Sequence, residues 1–333
     1  MQRVCYTQCV RRLCGPAQSS RLLKVRNIHR SLRQLRHNTV MEDNKPWALI
    51  SEGPKIQAML MWNTFPAAEP SLLRLLPSLK VVSNGGVGID HLDLPYISSL
   101  GVKVTNTPDV VSDATADIAM GLLLASARRI VEGHQLAVDP NMTYLSQSLM
   151  GVEVTGSTMG IIGMGRIGCK IAQRGKGFDM RILYHNRTRR SVEDERAVGA
   201  SYREKVDDLL KESDFVMLAV NLTPETTALI SHRELSLMKP TATLVNISRG
   251  PVVDQDALVK ALRSGTIRAA ALDVTHPEPL PRDHPLLSLS NVLITPHVGT
   301  NTYTTTRKMV QKMVDNALAA LNGQSIPNEV KPK

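Results

Sequence analysis

Gly163, Gly165 and Gly168 fall in the run Met159–Gly168 (MGIIGMGRIG) at the spacing GxGxxG. Alone, the pattern is common. Here it follows an apolar run, Thr158–Ile162, and opens a helical one, Arg166–Lys176, and that context gives it chemical meaning. The first glycine allows a tight turn, the second lets the main chain approach a diphosphate, and the third lets helix and strand pack closely. The helix start at Arg166, Ile167 and Gly168 then presents the positive end of its dipole to that diphosphate. These residues predict a dinucleotide cradle. The bland alternative is a tight strand-to-helix turn and nothing more.

The end of the next strand decides which dinucleotide. A carboxylate about 20 residues on would bind the adenosine ribose 2′-hydroxyl. This chain instead reads His185-Asn186-Arg187-Thr188-Arg189-Arg190, and the nearest acids are Asp179 and Glu193. A 2′-phosphate favours guanidinium and polar donors and is repelled by a carboxylate. Asn186, Arg187 and Thr188 are therefore the expected partners, with Arg187 foremost. The expected cofactor is NADPH, with NADH as a possible substitute; the alternative is a solvated basic loop.

Elements that position such groups can be read along the chain. Apolar runs at Ile56–Trp62, Val81–Val82, Val102–Thr105, Thr158–Ile162, Arg181–His185, Phe215–Val220, Thr243–Ile247, Ala269–Leu272 and Val292–Thr295 predict strands. Helical stretches lie between them: Glu69–Leu79, Leu92–Leu100, Arg166–Lys176, Val206–Glu212, Ser231–Met238 and Gln255–Ser264. Asp113–Glu132 is the longest helical pattern, with Ser112 or Asp113 as its N-cap, and Thr304–Asn322 is the last. Such alternation predicts an α/β fold of two doubly wound parallel-sheet domains. Asn106–Asp109 and Thr295–Val298, each with a proline, read as crossings between domains. Residues 109–297 then form a dinucleotide-binding domain inserted in a smaller domain made of residues 42–108 and 298–333.

Several motifs in order carry a family resemblance: Gly85–Leu92 (GGVGIDHL), Asn106–Ala119 (NTPDVVSDATADIA), Gly160–Gly168, Leu222–Thr226 (LTPET), Asn246–Gly250 (NISRG), Leu272–Leu280 (LDVTHPEPL) and Pro296–Gly299 (PHVG). From about residue 56 to 333 the chain resembles the D-2-hydroxyacid dehydrogenases, and among them the glyoxylate/hydroxypyruvate reductases. The resemblance implies a Rossmann cofactor domain, a flavodoxin-like substrate domain, a homodimer, and reduction of short 2-keto acids such as glyoxylate and hydroxypyruvate.

It also implies roles. Arg249, after an apolar strand and flanked by Gly250 so that its fork can reach a small carboxylate, binds the substrate carboxylate and polarises the keto oxygen. A planar guanidinium suits that two-pronged grip better than an ammonium. His297 is the implied acid/base, since imidazole titrates in the useful range. Glu278, in the Pro-Glu-Pro turn, is its implied partner, because a carboxylate bonded to imidazole favours the protonated ring. Asp273 is implied to hold the nicotinamide carboxamide, Thr115 to touch the cofactor, and the backbone at Val87 and Gly88 to bind the substrate carboxylate. His91, His185 and His276 have no evident role.

One stretch departs from the family pattern. A plausible first strand, Trp47–Ser51, is separated from Ile56 by four residues, whereas a parallel crossover needs a dozen or more. The smaller domain is therefore expected to lack its first βα unit. Two alternatives to the keto-acid reductase stay open: a 2-ketogluconate-type sugar-acid reductase, and a catalytically weak dinucleotide-binding sensor or interaction protein.

Composition narrows the field. The 333 residues carry a net charge of +10, yet nine Lys or Arg and no acid fall in residues 1–40. The other 293 residues hold 31 basic and 30 acidic side chains, which argues against a nucleic-acid-binding face. The basic leader, residues 1–41, fits a transit peptide or a disordered extension, and hence a mitochondrial or a cytoplasmic enzyme. No apolar run is long enough to span a bilayer, so no membrane partner is expected. Cys5, Cys9 and Cys14 lack paired zinc-site spacing, and no metal is expected.

Overall fold

The computed structural model describes residues 53–62, 64–142 and 149–332. The basic leader and the expected strand Trp47–Ser51 lie outside the described residues. The elements, in chain order, are β1 (Ala58–Trp62), α1 (Pro70–Leu73), β2 (Val81–Gly85), α2 (Leu94–Ser99), β3 (Lys103–Thr105), α3 (Ser112–Ala127), α4 (Ile130–Val138), β4 (Thr158–Ile162), α5 (Arg166–Lys176) and β5 (Arg181–His185). They continue with α6 (Val192–Val198), β6 (Ala200–Tyr202), α7 (Val206–Glu212), β7 (Phe215–Leu218), α8 (His232–Leu237), β8 (Thr243–Asn246), α9 (Gln255–Arg263), β9 (Ala269–Leu272), β10 (Val292–Ile294), α10 (Tyr303–Leu321) and β11 (Glu329–Val330). The described residues divide into two compact units, those of 53–111 with 302–332 and those of 112–301.

In the smaller unit the sheet order is β1-β2-β3-β11. β1, β2 and β3 are parallel, as expected, while β11, absent from the strands read in the sequence, runs antiparallel to β3. Two residues are too few to show a period-two pattern, so this strand leaves no signal in the sequence. Met59, Met61, Val82 and Val104 pack with Leu73, Leu76 and Ile97 in one apolar cluster, and Ala58 and Val81 with Val314 and Ala317 in another.

In the larger unit seven parallel strands run in the order β10-β9-β8-β7-β4-β5-β6. β4, β7, β8 and β9 are buried along their whole length, as expected of strands covered on both faces. Chain order reverses between β4 and β7. That is the switch point outside whose strand ends ligands of open α/β sheets bind. Asp113 and Asp117 of α3 pair with Lys170 and Arg174 of α5, holding the first helix of the unit against the helix after β4.

The pattern Asp113–Glu132 is two helices rather than one. Arg129, at φ 51°, is left-handed and separates α3 from α4. The reason lies far away in sequence: the N–H of Val152 donates to the carbonyl of Ala127 at 2.8 Å. The backbone of Ala127 and Arg128 also lies so close to Gly151 that no side chain would fit there. α10, at 19 residues, is the longest helix among the described residues. No described helix is long and apolar enough to cross a membrane.

Candidate active site

Apart from Thr115 on α3, the expected site residues of the larger unit follow the carboxyl ends of its strands. Gly163–Gly168 follow β4, Asn186–Thr188 follow β5, Arg249 follows β8, Asp273 and Glu278 follow β9, and His297 follows β10.

Gly163 has φ +105°, and a Cβ on it would lie 2.5 Å from the carbonyl oxygen of Ala219, just past β7. Only glycine meets both conditions. A Cβ on Gly168 would lie 2.3 Å from the carbonyl oxygen of Gly163, so the helix start abuts the turn. Gly165 differs: its φ is −81°, and a Cβ there would meet no atom within 4 Å. Gly165 and Arg166 are exposed and Ile167 half-buried at the start of α5. An open, side-chain-free approach to a helix N-terminus suits the diphosphate of a dinucleotide. Asn186 braces this turn, accepting from the N–H of Met164 at 2.7 Å. The N–H of Gly163 in turn donates to the carbonyl of His185.

Around β8 to β10 the residues converge. The Nδ1 of His297 lies 2.8 Å from a carboxylate oxygen of Glu278, whose other oxygen accepts the N–H of Thr275 at 3.0 Å. Burial pushes the Glu278 carboxyl up. The hydrogen bond and charge of His297, the Thr275 N–H and the charge of Arg249 outweigh that, so it lies below the usual glutamate range. An ionised carboxylate only accepts, so Nδ1 carries a proton and Nε2 is the ring atom left to exchange one. His297 itself sits at φ 52°.

Asp273 is 2% exposed. Its carboxylate accepts from the Thr295 hydroxyl (2.6 Å) and from the N–H groups of Val298 (2.9 Å) and Gly299 (2.8 Å), while its carbonyl accepts the N–H of His297 (2.8 Å). The structure thus places Asp273 beneath the turn that carries His297. Thr115, buried in the first turn of α3, packs near Gly299.

Arg249 precedes a short 3₁₀ turn, and one of its guanidinium nitrogens donates to the carbonyl of Ser248. Its loop is pinned by Asn246, a residue that sequence reasoning missed. Buried at 1% exposure, the Asn246 amide accepts from the N–H and hydroxyl of Ser248 and donates to the carbonyl of Arg249. Gly250 has a further reason to be glycine. A Cβ there would lie 2.1 Å from the carbonyl oxygen of Thr275, so glycine brings the Arg249 loop against the strand end leading to Glu278.

In the smaller unit, Asn106 donates to the carbonyl of Val87 at 3.0 Å and Asn84 to that of Gly88 at 2.9 Å. His91 donates in turn to the Asn84 amide oxygen. Among the described residues the N–H groups of Val87 and Gly88 donate to no protein acceptor. His185 bonds through Nδ1 to the Arg203 carbonyl. His276 is exposed and pairs through its main chain with the Gln255 amide, away from proton-transfer duty.

Residues 120–299 match the model of the D-isomer-specific 2-hydroxyacid dehydrogenase NAD-binding domain. The chain belongs to that family. The dehydrogenase is 48% identical over 259 residues to glyoxylate reductase of Thermococcus onnurineus, covering 76% of this chain and 77% of the relative. It is 45% identical over 264 residues to glyoxylate reductase of Aeropyrum pernix, 78% of each chain. Among solved structures it is similar to an NADPH-dependent glyoxylate/hydroxypyruvate reductase of Sinorhizobium meliloti in complex with NADP and malonate: TM-score 0.78, 32% identity, 90% of this chain and 93% of that one. It is also similar to D-lactate dehydrogenase of Aquifex aeolicus complexed with NAD and lactic acid, at TM-score 0.80 and 28% identity over 93% of this chain and 96% of that one. The dehydrogenase is thus an oxidoreductase with a nicotinamide-dinucleotide domain.

Proposed function

We propose that this dehydrogenase reduces short 2-keto acids, glyoxylate and hydroxypyruvate first among them, to D-2-hydroxy acids with NADPH. The observation that carries the reading is the 2.8 Å pair of His297 and Glu278 at the ends of adjacent strands, with Arg249 at the end of the next. Arg249 grips the substrate carboxylate and polarises the keto oxygen. His297 delivers a proton to that oxygen from Nε2, while Glu278 keeps Nδ1 protonated and steadies the ring. When bound, the nicotinamide supplies the hydride for the keto carbon. The two unengaged N–H groups at Val87 and Gly88 are suited to a carboxylate.

NADPH is favoured by the turn after β5. Arg187 and Thr188 are exposed and make no hydrogen bond or ion pair among the described residues, whereas Arg189 and Arg190 are paired with Glu195 and Asp194. Among those residues no acid ends β5 to repel a 2′-phosphate. Gly163, Gly165, Arg166, Ile167, Gly168 and Asn186 hold or shape the dinucleotide, with Thr115 and Asp273 beside the turn of His297.

Exposed apolar residues support a homodimer. Ile130, Val131 and Val138 of α4 and Met150 are 44–77% exposed, and α4 has no buried residue. Apolar exposure concentrated on one helix and the segment after it suits an interface between copies. Sedimentation of the purified protein as a monomer would reject it.

Turnover is tested by following oxidation of NADPH and NADH with glyoxylate, hydroxypyruvate and 2-ketogluconate. Faster turnover with NADPH and the two shorter acids is expected; tight dinucleotide binding without turnover of any acid would overturn the reading. In the same assay Arg187→Asp is expected to weaken NADPH by more than about tenfold and NADH little, since a charge-assisted contact contributes roughly 1.5–3 kcal/mol.

A further inference from the structure

Behind the turn that presents Arg187 lies a network that neither the cradle nor the catalytic pair uses. Tyr184, the penultimate residue of β5, is fully buried. Its hydroxyl donates to Glu195 at 2.6 Å and accepts the N–H of Arg190 at 3.0 Å. Glu195, in the first turn of α6, is a buried carboxylate that also accepts two hydrogen bonds from Arg189, at 2.8 and 2.9 Å. The Arg189 guanidinium lies over the Tyr202 ring, 5.5 Å from its centre, and the Tyr202 hydroxyl donates to the carbonyl of Asn186. The Arg190 side chain pairs with Asp194. Asn186, Arg189 and Arg190 are therefore anchored to the turn after β4, to β6 or to α6, and Arg187 and Thr188 stand between fixed posts.

We propose that Tyr184, Glu195 and Arg189 form a clamp that sets the preference for the phosphorylated dinucleotide, by holding the 186–190 turn so that Arg187 and Thr188 meet the 2′-phosphate already ordered. The proposal rests on the NADPH reading above and gives it a mechanism. Three features argue for a clamp over a set of direct phosphate ligands. Arg189 has its Nε and one terminal nitrogen on the Glu195 carboxylate, so that edge of its guanidinium is committed to α6 and its place is fixed there. Glu195, a like charge beneath a phosphate site, is cancelled by that same pairing. The Tyr184 hydroxyl joins the carboxylate to the turn's main chain, so the charge pair and the backbone move as one unit. Ordering a turn before the ligand arrives removes the entropy cost of ordering it on binding. That gain applies to a ligand whose contacts lie on the turn. NADH, which lacks the phosphate, gains little from it. The Tyr184 hydroxyl is held neutral, pushed up to about 12 by burial and by its bond to Glu195. Glu195 is held ionised, down to about 2, by Arg189 and then Tyr184.

The test measures dissociation constants of NADPH and NADH on the full chain for wild type, Y184F, E195Q and R187A, with amide hydrogen exchange of residues 186–190 in the unliganded protein. Y184F keeps the buried ring and removes only the hydroxyl, so it carries the test if E195Q folds poorly. Y184F and E195Q are expected to speed exchange in the turn and weaken NADPH by about three- to tenfold, with NADH changed by less than about twofold. R187A should remove the preference. If R187A removes it while Y184F and E195Q leave the ratio intact, the NADPH reading stands and the clamp falls. Equal weakening of both cofactors in the clamp variants makes the network a general structural brace and overturns the proposal, as does tighter NADPH binding by E195Q. A ratio unchanged in R187A overturns the NADPH reading and the clamp together.

Discussion

Asp273 holds the backbone on both sides of His297: its carbonyl accepts the His297 N–H, and its carboxylate accepts the N–H groups of Val298 and Gly299 and the hydroxyl of Thr295. A left-handed histidine in an exposed turn is therefore fixed from below by one buried acid. Asp273→Asn replaces one acceptor oxygen by a donor and leaves a main-chain N–H or the hydroxyl facing another donor. The expected loss is about 1–3 kcal/mol of stability. With His297 displaced, kcat is expected to fall by about tenfold or more, since small misplacements of catalytic groups are costly. Parallel measurement of kcat and NADPH affinity decides the role: weakened affinity with kcat intact would assign Asp273 to the cofactor instead.

His297→Asn isolates the proton donor. Asparagine tolerates the left-handed backbone better than most residues, so the turn is expected to survive the change. kcat should fall by about 10²- to 10⁴-fold with NADPH affinity nearly unchanged. His276→Asn, two residues before Glu278 and bound only through its main chain to Gln255, should cost little. Steady-state kinetics in which the two variants behaved the other way round would reverse the assignment.

The candidate site residues could be placed because they follow strands, and buried parallel strands such as β4 and β9 read as apolar runs in the sequence, although β10, before His297, is only half-buried. The supports of those residues were not legible. Asp273 acts on residues 22 to 26 positions away, and a hydrogen bond of that span leaves no periodicity. Asn246 looks like any polar residue at a strand end, although NISRG already marked its loop. Gly250 was read through its neighbour Arg249, while its reason is the backbone of Thr275, brought there by the pairing of β8 with β9. The break at Arg129 was hidden for the same cause: Ala127 has strong helix propensity, and a distant N–H from Val152 ends the helix against it.

Acid should destabilise the larger unit through two carboxylates near β5 and β6. Glu195 is lowered from 4.5 to about 2 by Arg189 and Tyr184, and Glu212 from 4.5 to about 2 chiefly by Arg203. Both bind protons more weakly folded than unfolded, so their stabilisation is present above about pH 4.5 and is lost as pH falls toward 2. Calorimetry should show Tm dropping across that window, and dropping less steeply in the double variant E195Q/E212Q. Parallel slopes for the two proteins would place the acid sensitivity elsewhere.

Gly163 and Gly165 separate folding from binding within one turn. At Gly163, with φ +105°, a methyl group would meet the backbone of Ala219 at 2.5 Å, and neither the dihedral nor the neighbour can yield cheaply. Strain of that kind costs about 1–3 kcal/mol before the clash is counted, so Gly163→Ala should lower Tm and lose dinucleotide binding together. At Gly165 the backbone suits any residue, and no atom lies within 4 Å of the added carbon. Gly165→Ala should therefore leave stability within about 0.5 kcal/mol of wild type. The methyl group instead fills the place where the main chain must approach the diphosphate, and that approach is what the helix N-terminus of α5 offers. NADPH and NADH should both weaken, by more than about tenfold, because both carry the same diphosphate. Titration of the two variants with each cofactor, beside their melting curves, checks this. A Gly165→Ala protein that melts normally and binds both dinucleotides as wild type does would move the diphosphate away from the start of α5.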